Sequence, residues 1–243
     1  MDGNGRWAEQ RGQQRSAGHR AGSDAVRRIV RVSRRIGLEA LTLYAFSFQN
    51  WKRPEDEVCA LMSLLQEFLL NERDEIMDNG IRLAAVGELD QLPKPVRAVL
   101  DALIADSADN DDMTLTLALS YGGQEEIARA ARELAAEVAK GQLHPEEITV
   151  DALRGRMPSL KVGEPDLIIR TGGETRLSNF LLFGSAYAEL FFTGQLWPDF
   201  TAEDLFSAIA NYQRRERRFG LVLDGDSDDD VGEELAANST AAE

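Results

Sequence analysis

Glu39-Ala40-Leu41-Thr42-Leu43-Tyr44-Ala45-Phe46 runs straight into Ser47-Phe48-Gln49-Asn50-Trp51-Lys52-Arg53-Pro54. The first run is mostly apolar and reads as a buried strand. The second is polar and aromatic, and its Pro54 opens an amphipathic helix through Leu61, Leu64, Leu65, Phe68 and Leu69 that closes near Gly80. A strand, a polar turn and a long helix make one βα unit. The same alternation continues on both sides.

Upstream, helical spacing starts near His19 and runs through Val26, Ile29, Val30, Val32 and Ile36 to Gly37, a glycine suited to end a helix. Downstream, strands are expected at Ile81–Val86, Met113–Ser120, Asp166–Arg170 and Glu189–Phe192. Helices are expected over Pro93–Ala108, Gln124–Lys140, Glu146–Arg156 and Ala202–Arg218. Strands separated by helices predict an α/β fold, an open and mostly parallel central sheet with helices on both faces. In such sheets ligands gather at the carboxyl ends of the strands. Three polar clusters fit that rule: Ser47 to Arg53, Arg170 to Ser178, and the first residues of the chain.

The 243 residues suffice for one domain with a full core, and 43% hydrophobic with 28% charged residues is ordinary for a globular chain. No apolar run is long enough to cross a membrane, and Met1-Asp2-Gly3-Asn4-Gly5-Arg6 lacks the apolar heart of a signal peptide, so a cytoplasmic protein is expected. The lone cysteine, Cys59 in Val58-Cys59-Ala60-Leu61, reads as a small core residue. A net charge of −15 argues against nucleic acid as a partner. Residues 221–243, with Asp224-Gly225-Asp226-Ser227-Asp228-Asp229-Asp230, form an acidic tail too poor in apolar groups to fold. The body, 1–220, is nearer neutral.

Asp2-Gly3-Asn4-Gly5-Arg6-Trp7 places two glycines about an asparagine, a turn whose backbone can approach a diphosphate while Asp2 holds a divalent cation. Alone it is equally an ordinary Asn-Gly turn. Arg15 and His19 follow on the approach to a helix, where anions are favoured and where exposed polar residues are also common. In the second cluster Ser, Asn and Arg offer hydrogen bonds and Trp51 an aromatic wall, although a plain capping loop would look similar. Arg170-Thr171-Gly172-Gly173-Glu174-Thr175-Arg176-Leu177-Ser178 sets a glycine pair between two guanidiniums suited to phosphate oxygens. Glu189 begins an apolar strand, where a metal or an arginine would justify its charge. Arg214-Arg215-Glu216-Arg217-Arg218-Phe219-Gly220 makes a basic helix end.

In this order, with Tyr187-Ala188-Glu189-Leu190 between the last two, these blocks closely resemble the cis-prenyltransferase family of undecaprenyl diphosphate synthase type, from Met1 to about Gly220. The resemblance implies a magnesium-dependent transferase that condenses isopentenyl diphosphate with an allylic diphosphate, farnesyl diphosphate foremost. The product would be a medium-chain polyprenyl diphosphate such as undecaprenyl diphosphate, precursor of the lipid carrier of cell-wall synthesis. By motif, Asp2 would hold Mg2+ on the allylic diphosphate, while Gly3, Asn4, Gly5, Arg6 and Trp7, with Arg15 and His19, would bind that substrate. Asn50 would assist proton loss, with Ser47, Phe48, Gln49, Trp51, Arg53 and Glu57 shaping the same site. Arg170, Arg176, Leu177 and Ser178 would bind isopentenyl diphosphate. Glu189 would help hold Mg2+ in a partner-facing part of the site. The stretch through Arg218-Phe219-Gly220 would reach across a homodimer, and transient peripheral contact with a membrane would release product.

An apolar channel must take the growing hydrocarbon. Met113, Leu115, Leu117 and Leu119 on one face of their strand, or Thr114, Thr116, Ala118 and Ser120 on the other, are candidates with Ala45, Leu65, Phe68 and Leu69. Relative to the family's medium-chain members the Pro54–Asn79 helix shows no insertion, so the resemblance implies a medium-chain product.

Two departures stand out. The family carries an apolar strand immediately before its first Asp, whereas Met1 directly precedes Asp2, so an upstream segment is expected to supply that strand and Asp2 is expected to be loosely tethered without it. Phe48-Gln49 replaces a small residue and Glu, and Leu221 stands where a second glycine is common. Two rival readings are an inactive partner subunit, against which both Asp2 and the Arg-Thr-Gly-Gly block speak, and a nucleotide hydrolase, for which the phosphate loop GxxxxGK[ST] is absent.

Overall fold

Strand β3, Met113–Tyr121, is buried along nearly its whole length and carries a neighbour on each edge. In the computed structural model, which describes residues 1–215, β1 (Ala40–Ser47) and β2 (Ile81–Val86) both pair with it in parallel, in the order β1-β3-β2. Leu43 lies opposite Leu117, and Leu83 opposite Leu115. The β1 register shifts around Ala45, a bulge at the carboxyl end that re-aims the residues entering the polar turn. A second parallel pair is made by β4 (Leu167–Arg170) and β5 (Glu189–Phe192).

The α/β class and parallel pairing are as expected, and each expected strand is present to within a residue at either end. The expected single sheet is instead two. Among the described residues no strand pairs with the second edge of β1 or of β4. A cavity of about 1210 Å³ is lined by both strands.

The helices are α1 (Asn4–Glu9), α2 (Arg15–Arg35), α3 (Glu55–Asn71), α4 (Arg73–Asp78), α5 (Lys94–Asp106), α6 (Gly123–Ala139), α7 (Val150–Arg154) and α8 (Ala202–Gln213). Met62 and Leu69 of α3 with Val96 and Leu100 of α5 bury against Leu115, Leu117 and Leu119 of β3. That assigns the odd-numbered face of β3 to the main core. Ala118 and Tyr121 pack instead with Val86 and Leu181. A second cluster joins Ala25 and Ile29 of α2 to Trp197, Phe200 and Leu205. Burying each large aliphatic or aromatic side chain contributes about 1.5–3 kcal/mol.

Several expectations are corrected. The helix from Pro54 breaks at Glu72, which takes φ −95 and ψ 2 and turns its buried carboxylate to Arg27 Nε at 2.5 Å. The expected Glu146–Arg156 helix shrinks to α7, because Thr149 caps it with an oxygen that accepts from the Ala152 N–H. The opening turn is confined to Gly3, at φ 104, and Asn4 already belongs to α1. Cys59 is exposed rather than a core residue, at the edge of the face of α3 that buries Met62 and Leu69. Arg217, Arg218, Phe219, Gly220 and the acidic tail lie outside the described residues.

Candidate functional site

Asp2 sits where the chain start meets the loop after β4. Its N–H donates to Thr171 Oγ1 at 2.9 Å, and that hydroxyl donates back to the Asp2 carbonyl at 2.9 Å. Trp197 N–H donates to the same carbonyl at 2.9 Å. The carboxylate accepts from Gly3 N–H at 2.7 Å and from Arg170 Nη2 at 2.9 Å, and Arg6 stands 3.9 Å away. Asp2 is thus firmly held, contrary to the loose tether expected. Burial opposes its ionisation, yet the Arg170 bond and charge and the Gly3 N–H together hold its pKa below the usual value.

The Gly-Asn-Gly start and the Arg-Thr-Gly-Gly loop are in direct contact. A Cβ on Gly172 would lie 2.8 Å from Arg6 Nη2 and 3.3 Å from Asp2. Gly172 takes φ 92, so only glycine suits the place on both counts. Asn4 inserts its side chain against Gly22, with Oδ1 buried and without a hydrogen-bond partner. Gly5 packs beneath the Arg15 guanidinium. Trp7 turns away, donating to Asp199 Oδ1 at 2.7 Å beneath Arg11, and does not line the cavity.

Arg15, His19, Arg53 and Glu57 converge from α2 and the start of α3. One oxygen of Glu57 receives Arg53 at 2.8 Å, His19 Nε2 at 3.4 Å and Arg15 at 3.6 Å. Burial lowers the His19 pKa, against the pull of Glu57 upward, so the imidazole is neutral at pH 7. Burial works to raise the Glu57 pKa, but Arg53 and Arg15 outweigh it and the net shift is downward. Both guanidiniums stay partly exposed and can face an anion.

The turn after β1 is a short 3-10 helix, Phe48–Lys52. Asn50 Oδ1 accepts from Ser47 N–H at 3.0 Å, which fixes the turn from within. Trp51 donates to Ser120 Oγ at 2.8 Å and meets Phe46 edge-on, ring centres 4.8 Å apart. Phe48 is half-buried and Gln49 exposed, the latter reaching Glu125 at 3.4 Å. In the loop after β4, Arg170 donates to Ser178 Oγ at 2.6 Å and to the Arg176 carbonyl, while Asp2 takes its other nitrogen. Arg176 and Leu177 line the cavity beside Ser178.

One carboxylate with bound phosphate oxygens is a donor set that suits Mg2+, which keeps few protein ligands, and Asp2 offers that carboxylate. Glu189 is elsewhere. It sits opposite Leu167 at the amino ends of β4 and β5, paired with Arg215, whereas Asp2 meets the carboxyl end at Arg170. Within this chain the two are not brought together, and among the described residues no three metal-binding side chains cluster.

The polar groups open onto the 1210 Å³ cavity. Asp2, His19, Asn50, Arg53, Arg170 and Ser178 line it, and Leu41, Leu43, Leu61, Leu64, Leu65 and Phe68 form apolar wall between β1 and α3. Residues 1–220 match the prenyltransferase family model described as "Putative undecaprenyl diphosphate synthase". The chain belongs to that family. An isoprenyl transferase of Porphyromonas gingivalis is 50% identical over 220 residues, 90% of this chain and 87% of that one. One of Chlorobaculum tepidum is 46% identical, over 90% and 83%. Lavandulyl diphosphate synthase from Lavandula x intermedia, solved with dimethylallyl diphosphate, superposes at TM-score 0.88 with 36% identity, covering 90% of this chain and 95% of that one. A structure described as a probable undecaprenyl diphosphate synthase from Campylobacter jejuni gives TM-score 0.72 at 32% identity, covering 82% and 92%. As a member of this prenyltransferase family the chain is a transferase.

Thr171, Glu125 and Asn179 hold the site but are absent from the candidates read in sequence, and Ser120, read there only as a channel candidate, accepts the Trp51 N–H. Thr171 had a signal, since it stands inside the arginine–glycine block. The others act by contacts far apart along the chain, which spacing does not report.

Proposed function

We propose that this chain condenses isopentenyl diphosphate with an allylic diphosphate, farnesyl diphosphate in the first instance, to make a medium-chain polyprenyl diphosphate of the undecaprenyl class. What carries the reading is one cavity: its rim holds Asp2, Arg170 and Ser178, and its wall between β1 and α3 is apolar. A diphosphate needs the first and a hydrocarbon the second.

Asp2, together with substrate phosphate oxygens, would hold Mg2+, whose chemistry when bound is to neutralise charge on the departing diphosphate. Arg6, Arg15 and the turn at Gly3 and Asn4 hold the allylic diphosphate, and His19, neutral, serves as a hydrogen-bonding group. Arg170, Arg176, Leu177 and Ser178 hold isopentenyl diphosphate. As the allylic carbon–oxygen bond breaks, negative charge gathers on the leaving group. Guanidiniums placed there stabilise the transition state more than the ground state. Asn50, its Oδ1 held by the Ser47 N–H, lines the same cavity and would assist the loss of the proton after the new carbon–carbon bond forms, an oxygen of the departed diphosphate taking that proton. The hydrocarbon lengthens along Leu61, Leu64, Leu65 and Phe68.

A homodimer would bring Glu189 of a second copy toward Asp2. No helix among the described residues is long and apolar enough to cross a membrane. Product release would rest on transient peripheral contact of a cytoplasmic protein with the bilayer. Incubation with farnesyl diphosphate, labelled isopentenyl diphosphate and Mg2+, followed by lipid extraction and sizing, is the test. A medium-chain labelled lipid is the expected result; the absence of lipid-soluble label under those conditions sinks the reading.

A further inference from the structure

Asn179 lies just beyond Ser178, and its contacts run out of its own loop to the start of α6. Its carbonyl accepts from Gly123 N–H at 2.8 Å, and its Oδ1 accepts from Gln124 N–H at 2.8 Å. Its Nδ2 donates to Glu125 Oε2 at 2.8 Å. One residue, by its carbonyl and its side chain, thus caps a helix that begins more than fifty residues earlier, satisfying two N–H groups the helix cannot use itself. The space is made for the pair: a Cβ on Gly122 would fall 2.0 Å from Glu125 Oε2 and 2.6 Å from Asn179 Nδ2.

The loop needs such a hold. Ser178, Asn179 and Leu181 take φ of 51, 66 and 44, a left-handed conformation that L side chains adopt only when their surroundings enforce it. Arg170 grips the loop from one side, through Ser178 Oγ and the Arg176 carbonyl. Glu125 and Asn179 grip it from the other. The second oxygen of Glu125 accepts from Gln49 Nε2 at 3.4 Å, in the turn that carries Asn50. Glu125 therefore bridges the two substrate loops. A carboxylate at position 49 would face that of Glu125 with like charge, which accounts for an amide there.

We propose that Glu125 and Asn179 are positioning residues for the transfer reaction, setting the loop of Arg176, Leu177 and Ser178 in register with the Asn50 turn. The proposal rests on reading that loop as the isopentenyl diphosphate site.

The test compares Glu125→Ala and Glu125→Gln, varying each substrate separately and following amide hydrogen exchange at Gln124 and Ser178–Leu181. Glu125→Ala is expected to raise KM for isopentenyl diphosphate by about five- to twentyfold, with the allylic KM and kcat within about threefold and faster exchange in the loop. Glu125→Gln, which keeps an acceptor for Asn179, is expected to restore both. Gln49→Glu should weaken isopentenyl diphosphate binding, and combining it with Glu125→Gln should recover it. Unchanged exchange in Glu125→Ala, equal effects on both substrates, or no rescue by Gln overturns the proposal. If the parent protein forms no prenyl product while Glu125→Ala still frees the loop, the function reading fails and the lock stands.

Discussion

At the scale of single residues, charge is arranged around a few fixed carboxylates. Asp2 binds backbone, Arg170 and a threonine at once. Asp2→Asn keeps the backbone hydrogen bonds but removes the charge that faces Arg170, so kcat is expected to fall about 10²–10³-fold with a modest loss of stability, checked by steady-state rates beside denaturant melts. His19 gives a pH prediction. Its folded pKa is below the ordinary 6.5, chiefly through burial, so the unfolded chain binds more protons in the window between the two values. Stability therefore rises with pH across that window and is lost as pH falls below about 6.5. Asp2 and Glu57, both depressed, add a loss of the same sign nearer pH 4. Glu57→Gln removes the partner that raises the His19 pKa and is expected to lower it further, readable in an imidazole NMR titration. In the sequence Asp2 and Arg170 stood out within glycine-containing blocks of charged residues, and Asn50 through the family resemblance of its block; the structure sets all three on one cavity. Glu125 and Asn179 did not stand out, since a glutamate at a helix start and an asparagine in a loop are each ordinary until the fold brings them together.

At the scale of elements, the crossing of α1 on α2 is set by a missing side chain. Gly18 lies where a Cβ would come within 1.9 Å of the Asn4 carbonyl oxygen, a backbone atom that cannot step aside. Gly18→Ala is expected to destabilise the protein by about 1–3 kcal/mol in urea or thermal unfolding. It should also raise the allylic KM, because α1 carries Asn4 and Arg6. Periodicity located every strand, since apolar runs bounded by turns have few other readings. It merged α3 with α4, because the apolar spacing of Phe68, Leu69 and Ile76 continues while the backbone breaks at Glu72. It could not foresee the capping of α6 from a distant loop.

At the scale of the whole molecule, the cavity is shared between a catalytic rim and the gap separating two small parallel sheets. Among the described residues one edge of β1 and one edge of β4 carry no neighbouring strand, and both strands line that cavity. These two edges have an implication. Each presents a ladder of peptide groups able to template a foreign strand, and both strands line the same cavity. Concentrated solutions of this chain should therefore drift toward ordered assemblies by swapping β segments between copies. Light scattering that grows with protein concentration, and is quenched by a short apolar peptide in trans, is the signature of that drift.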